Sequence, residues 1–166
     1  MSLDNIQLST ELITGLYKKS LIELNDEAIK EMPAAKFHWP ILGNNLKRIL
    51  IIVNEEQAAF LPEGDLNFLI GVLAACKLTM ADVALLNYFQ NKGVKIKELN
   101  ENLSPDKIIM FGTDTATLDI PLQFPNYQIQ KYNNQVYVSA PSLSILSKDV
   151  MAKKELWKTL KTLFEI

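Results

Sequence analysis

Five carboxylates, Glu55, Glu56, Glu63, Asp65 and Asp114, fall around two predicted strand ends, where they could gather to hold a metal ion or trade protons with a substrate. The same residues serve as helix caps and solvated loop charges, and that second reading is the one adopted: no metal and no cofactor is expected. Nucleophilic catalysis needs a Ser, Cys or Thr beside a base. The one histidine, His38, lies in the connector 36–40 ahead of the first strand, and no serine stands in a Gly-x-Ser-x-Gly elbow. The one cysteine, Cys76, lies in the apolar run "IGVLAACKL", the setting of a small buried hydrophobe. So few Cys and His exclude disulfides, Cys-rich zinc sites and iron–sulfur clusters held by this chain alone. A phosphate loop would need glycines after the first strand, and "VNEEQAAF" offers two acids instead.

The elements that must position these groups read in order. "KRILIIVN" (47–54) is a continuous apolar run with β-branched residues, the pattern of a strand covered on both faces. A loop follows, then a helix over 65–77 whose Asp65 is expected to cap its start. "ADVALLNYF" (81–89) reads as a second strand, 91–105 as a turn and a short polar helix ended by Pro105, and "KIIMFG" (107–112) as a third strand broken at Gly112. "YQIQKYNNQVYVSAP" alternates about Asn133-Asn134, the signature of a two-residue hairpin. A helix over about 149–164 closes the chain, with Trp157 expected to lie against the sheet. This order predicts an α/β protein, a three-layer α/β/α domain with a mostly parallel central sheet. Ligands of such sheets sit outside the carboxyl ends of the strands. Those ends are Asn54 to Gln57, Asn87-Tyr88, Gly112 to Asp114, and Ser139 to Ser142.

Composition bounds the function. The 166 residues are enough for one domain with a real core, 48% apolar and 22% charged, with a net charge of −2. That balance gives no basic face for duplex DNA, and direct duplex binding is not expected. The sequence shows no secretory signal and no run long enough to cross a membrane, so the expected address is the cytoplasm, with no membrane partner. Residues 5–31 carry Leu12, Leu16 and Tyr17 in one apolar stripe at helical spacing. With Phe37 and Trp39 of the connector, they are candidate partner-binding residues. Residues 1–45 are expected to form an N-terminal helix and connector that packs on the domain or extends from it, and 46–166 the α/β/α domain.

Taken together, "RILIIVNEEQ", "KIIMFGTDTATL", "VYVSAPSLSILS" and "AKKELWKTL" resemble the uracil-DNA glycosylase superfamily over about residues 46–164. In the iron–sulfur branch of that superfamily the first strand runs into a Gly-Glu-x-Pro-Gly loop whose acid positions the attacking water. Its last strand runs into a His-Pro turn whose histidine steadies the departing base. Laid on that pattern, Asn54 falls at the acid and Ala140 at the histidine, while Pro141 and the Leu156-Trp157 pair remain. A lost donor of that kind commonly costs about 2.7–4 kcal/mol of barrier. The resemblance therefore implies a scaffold without catalytic residues, its vestigial cleft formed by Asn54, Glu55, Gly112, Thr113, Asp114, Ala140, Pro141 and Ser142.

Within that fold the chain resembles the psi subunits of DNA polymerase III. Val53-Asn54-Glu55, Phe111-Gly112-Thr113-Asp114, Ala140-Pro141-Ser142-Leu143 and Glu155-Leu156-Trp157 match short psi motifs in order and spacing. This resemblance implies a non-catalytic replication accessory whose partners are clamp-loader or other replisome proteins, a chi-like subunit among them. The alternatives are a divergent enzyme or nucleic-acid binder that uses the cleft near Asn54, and a structural domain in a homo-oligomer.

Overall fold

A computed structural model describes residues 39–166. The stripe of Leu12, Leu16 and Tyr17, together with Phe37, lies outside the described residues. The first strand, β1 (Ile49–Val53), is buried at every position. Its alternate side chains enter two separate cores: Ile49, Ile51 and Val53 on one face, Leu50 and Ile52 on the other. A run without polar alternation is what a strand covered on both sides requires.

The helix α1 (Glu63–Ala75) returns the chain to β2 (Val83–Asn87), and α2 (Ile96–Leu103) returns it to β3 (Lys107–Phe111). A hairpin, β4 (Ile129–Tyr132) and β5 (Gln135–Ala140), precedes a short helix α3 (Leu143–Lys148) and the closing helix α4 (Val150–Phe164). The five strands lie in the order β2-β1-β3-β5-β4, all parallel except the edge strand β4. Residues of α1, α3 and α4 fill the core on one face, those of α2 the core on the other, which makes three layers. Asn133 and Asn134 both take positive φ (51° and 62°), the geometry of the tight hairpin turn read from the sequence.

Several local expectations change. The helix α1 begins at Glu63, after Pro62, and no side chain caps it; Asp65 sits in its first turn, where its charge meets the free N–H groups instead. Helix α3 was not expected. Asp149 divides it from α4, its carboxylate accepting hydrogen bonds from the amides of Met151 and Ala152. The described part of the connector packs on the domain, which is one of the two arrangements expected of it: Leu42 exchanges two backbone bonds with Leu85 and covers the free edge of β2. Trp39 packs against the core of Leu50 and Ile52.

Trp157 does not lie against the sheet. It is 37% exposed on α4, whose sheet-facing positions are Leu156, Leu160 and Leu163. Trp157→Ala should therefore cost about 1–2 kcal/mol in urea denaturation, well short of a full core deletion. Gly71 lies inside α1 with no heavy atom within 4 Å of where a Cβ would stand. Gly71→Ala should raise stability by about 0.5–1 kcal/mol in the same measurement.

Tyr137 of β5 is fully buried in the core that α2 covers, its hydroxyl donating to Gln135 Oε1 at 2.8 Å. Burial pushes this phenol from its ordinary 10 up to about 12, partly opposed by a hydrogen bond from Asn100. The folded state thus favours the neutral form: that stability is complete below about pH 10 and is lost as pH rises through the folded value. Tyr137→Phe should flatten the fall in urea midpoint between about pH 10 and 12 relative to the parent.

Candidate functional site

The sheet register lines up the strand ends. Asn87, Val53, Phe111 and Ala140 are neighbours across β2, β1, β3 and β5, so Tyr88, Asn54, Gly112 and Pro141 each lie one residue beyond the same edge. The chain turns back on itself between β1 and β3, since β2 lies on one side of β1 and β3 on the other. A ligand of such a sheet enters the crevice at that reversal.

Here that crevice is closed. Between Val53, Asn54, Phe111 and Ser142 only about 10 Å³ remains, the least that holds a single water and far too little for a substrate. Leu61 from the β1–α1 loop and Leu143 from the start of α3 help to line it, rather than Tyr88 or Phe60. Tyr88 instead donates its hydroxyl to the Thr117 carbonyl at 3.1 Å. Asn54 is exposed, Glu55 half-buried, and Ala140 buried with its side chain in the α1, α3 and α4 core.

The loop that closes the crevice is held by one side chain. Asn87 is fully buried at the end of β2. Its Oδ1 accepts from the amides of Glu55 (3.0 Å) and Phe89 (3.1 Å). Its Nδ2 donates toward the carbonyls of Glu55 (2.7 Å), Ala58 (3.0 Å) and Ala59 (3.2 Å). The sequence marks Asn87 only as a polar residue ending an apolar strand; its clamp role depends on a loop some 30 residues earlier.

The carboxylates are dispersed. Among the described residues no group of three His, Cys, Asp or Glu side chains comes together to hold a metal ion. Asp65 faces the closed crevice; burial pushes its carboxyl up, the Glu55 charge adds to this, and Lys148 opposes it. Asp114 caps the turn Thr115–Leu118, its Oδ1 accepting from the Ala116 amide at 3.2 Å. Glu55 Oε1 accepts from the Gln57 amide at 3.0 Å. Cys76 is buried, which pushes its thiol up and away from the reactive thiolate.

An open cleft does exist on this edge, displaced toward β5. A cavity of about 400 Å³ lies beside Gly112, Thr113, Asp114, Ala140 and Pro141, walled on its far side by Gln123, Phe124 and Asn126 of the β3–β4 connection. Asn126 Oδ1 accepts from Ser139 Oγ at 3.2 Å, tying that wall to the strand end. The vestigial-cleft residues thus divide: Asn54 and Glu55 border the closed crevice, Gly112 to Asp114 with Ala140 and Pro141 border the open cleft, and Ser142 borders the closed side. Gln123, Phe124 and Asn126 carried no sequence signal beyond lying in a long polar connection.

No family model matches the chain. No curated protein matches it either. Among the described residues no helix is long and apolar enough to cross a membrane.

Proposed function

We propose that this is a non-catalytic accessory protein of DNA replication, similar to the psi subunit of DNA polymerase III, which acts in the cytoplasm through protein contacts in a clamp-loader complex. The observation that carries the reading is the closed crevice at the strand-order reversal. Asn54 borders space with no room for a substrate, Ala140 is buried in the neighbouring core, and neither is an acid or a base that could work on one. The four short motifs that resemble psi proteins fall at strand ends and on the closing helix, where a shared scaffold would keep them. The full chain used as bait in extracts of its native host should retain clamp-loader ATPase subunits or other replisome proteins. Recovery of unrelated partners alone would refute the reading.

The open cleft beside Gly112 and Phe124 supports a second reading, a divergent enzyme or nucleic-acid binder of the glycosylase fold. Uracil- and hypoxanthine-containing single and double strands should show no base release under the proposed function. Release abolished by Asp114→Asn, at the open cleft, would establish this second reading instead.

A further inference from the structure

The outer side of α1 is unlike that of a helix built only for its own fold. From Leu66 to Cys76 the chain carries no charged residue. Asn67, Ile70, Gly71, Ala74 and Ala75 are all exposed there, Ile70 at 42%. Helices that are apolar on every side are ordinarily covered on every side. Alongside runs a groove of about 440 Å³ between α1 and α4, floored by Phe68, Val72, Leu156 and Leu160 and walled by the half-exposed Trp157. Gly71 opens into it. No contact among the described residues calls for glycine at this position. A partner backbone approaching closely would call for one.

The rim gives the sign of that partner. Helix α4 carries Lys153, Lys154, Lys158 and Lys161 against the single Glu155, and of these Lys153 lines the groove and Lys161 stands at its Trp157 wall. Lys153 Nζ stands 5.5 Å from the Phe68 ring centre and Lys161 Nζ 5.9 Å from that of Trp157, so cations edge the apolar floor. The ion pairs of the described residues are Lys47–Asp82, Arg48–Asp106 and Lys95–Asp119, which leaves these four lysines without a carboxylate among those residues. A second copy seated face to face would bring an equal row of lysines. Carboxylates would relieve the repulsion already present.

We propose that the α1–α4 groove docks an amphipathic helix of a partner protein, its apolar stripe flanked by Asp and Glu. The proposal deepens the protein-contact reading above and rests on it. An α1 of 13 residues is about 20 Å long, room for some three turns of a partner helix anchored at i, i+4 and i+7.

The test is selection of a displayed library of helical peptides, each about 16 residues long, against the full chain. Gly71→Arg serves as the blocked variant, since no heavy atom lies within 4 Å of where its Cβ would stand and arginine is a better helix former than glycine; a urea midpoint no lower than the parent's checks its fold. Enriched sequences should be acidic with a helical apolar stripe, and should bind Gly71→Arg and Trp157→Ala at least roughly tenfold more weakly. Their affinity should fall with added salt, and Lys153→Glu with Lys161→Glu should redirect selection to lysine-flanked helices. Neutral or basic winners, or equal binding to the blocked variant, overturn the proposal. So does self-association in sedimentation that Gly71→Arg abolishes, or attachment to vesicles of phosphatidylglycerol and phosphatidylcholine through the same face. Acidic helices selected without any replisome protein in the host extract would keep the groove and remove the replication reading. Replisome capture undiminished by Gly71→Arg would do the opposite.

Discussion

Asn87→Leu should lower the stability of the protein by roughly 3–4 kcal/mol, read as the shift in urea midpoint at unchanged slope. Leucine keeps the branching of asparagine, but its bulkier methyls cannot bond the groups that now lie 2.7–3.2 Å away, so lost polar pairing dominates and some crowding adds to it. The amides of Glu55 and Phe89 lose their acceptor, and the carbonyls of Glu55, Ala58 and Ala59 lose their donor. Each buried group left unpaired costs about 1–3 kcal/mol, and the sum is reduced because the loop can swing out to water. That escape supplies a second readout: limited proteolysis should cut between residues 54 and 62 in the variant before the rest of the domain is attacked.

Asn87→Asp separates the two halves of the clamp. The acceptor side is retained, but a carboxylate now faces three carbonyl oxygens at 2.7–3.2 Å. Its folded pKa must therefore rise above the ordinary carboxylate value of about 4, since only the protonated form donates. The variant's deficit should be small below about pH 4 and grow as pH rises through the folded value. A deficit that does not change with pH would show that the amide donor is not what holds the loop.

The parts of this fold legible in the sequence are those decided by residues close together. The unbroken apolar run of β1 requires cover on both faces wherever its neighbours come from, and Asn133-Asn134 alone fixes the hairpin register. The cap at Asp149 likewise follows from its own side chain and the next three residues. Boundaries were less legible where two signals compete. Pro62 and Asp65 both mark a helix start, and the earlier one wins because Glu63 and Gly64 continue the turn before Asp65 is reached.

Facing was harder to read than existence. The apolar residues of α4 include Trp157 as well as Leu156 and Leu160, and helical spacing alone does not say which edge of that stripe meets the sheet. The structure gives the leucines to the core and Trp157 to the groove with α1. The state of the site was the least legible of all. Whether the crevice beside Asn54 is open depends on Leu61 and Leu143, far apart in the chain and neither a residue that advertises a site. Strand-end positions fix where a site can be; the filling of that space is a property of distant loops.

Gly112 is where those loops meet, and Gly112→Val should cost about 3–5 kcal/mol. Its φ of +65° lies in the left-handed region, which disfavours a side chain by roughly 1–2 kcal/mol and a β-branched one most. A Cβ there would stand 3.0 Å from Ser142 Cβ, 3.2 Å from its Cα and 3.3 Å from its nitrogen. Because two of those atoms are backbone at the start of α3, relief requires moving that helix off the sheet, an overpacking cost of about 1–3 kcal/mol. Gly112→Asn weighs the two causes, since asparagine accepts positive φ more readily but still carries a Cβ. It should recover no more than about 1 kcal/mol of the loss, and Ser142→Gly should not rescue it, because the Cα and nitrogen contacts persist. Full recovery by asparagine would mean that the turn, and not the approach of α3, demands the glycine. In that event the closed crevice would owe nothing to how tightly the last strand's turn is seated against the third.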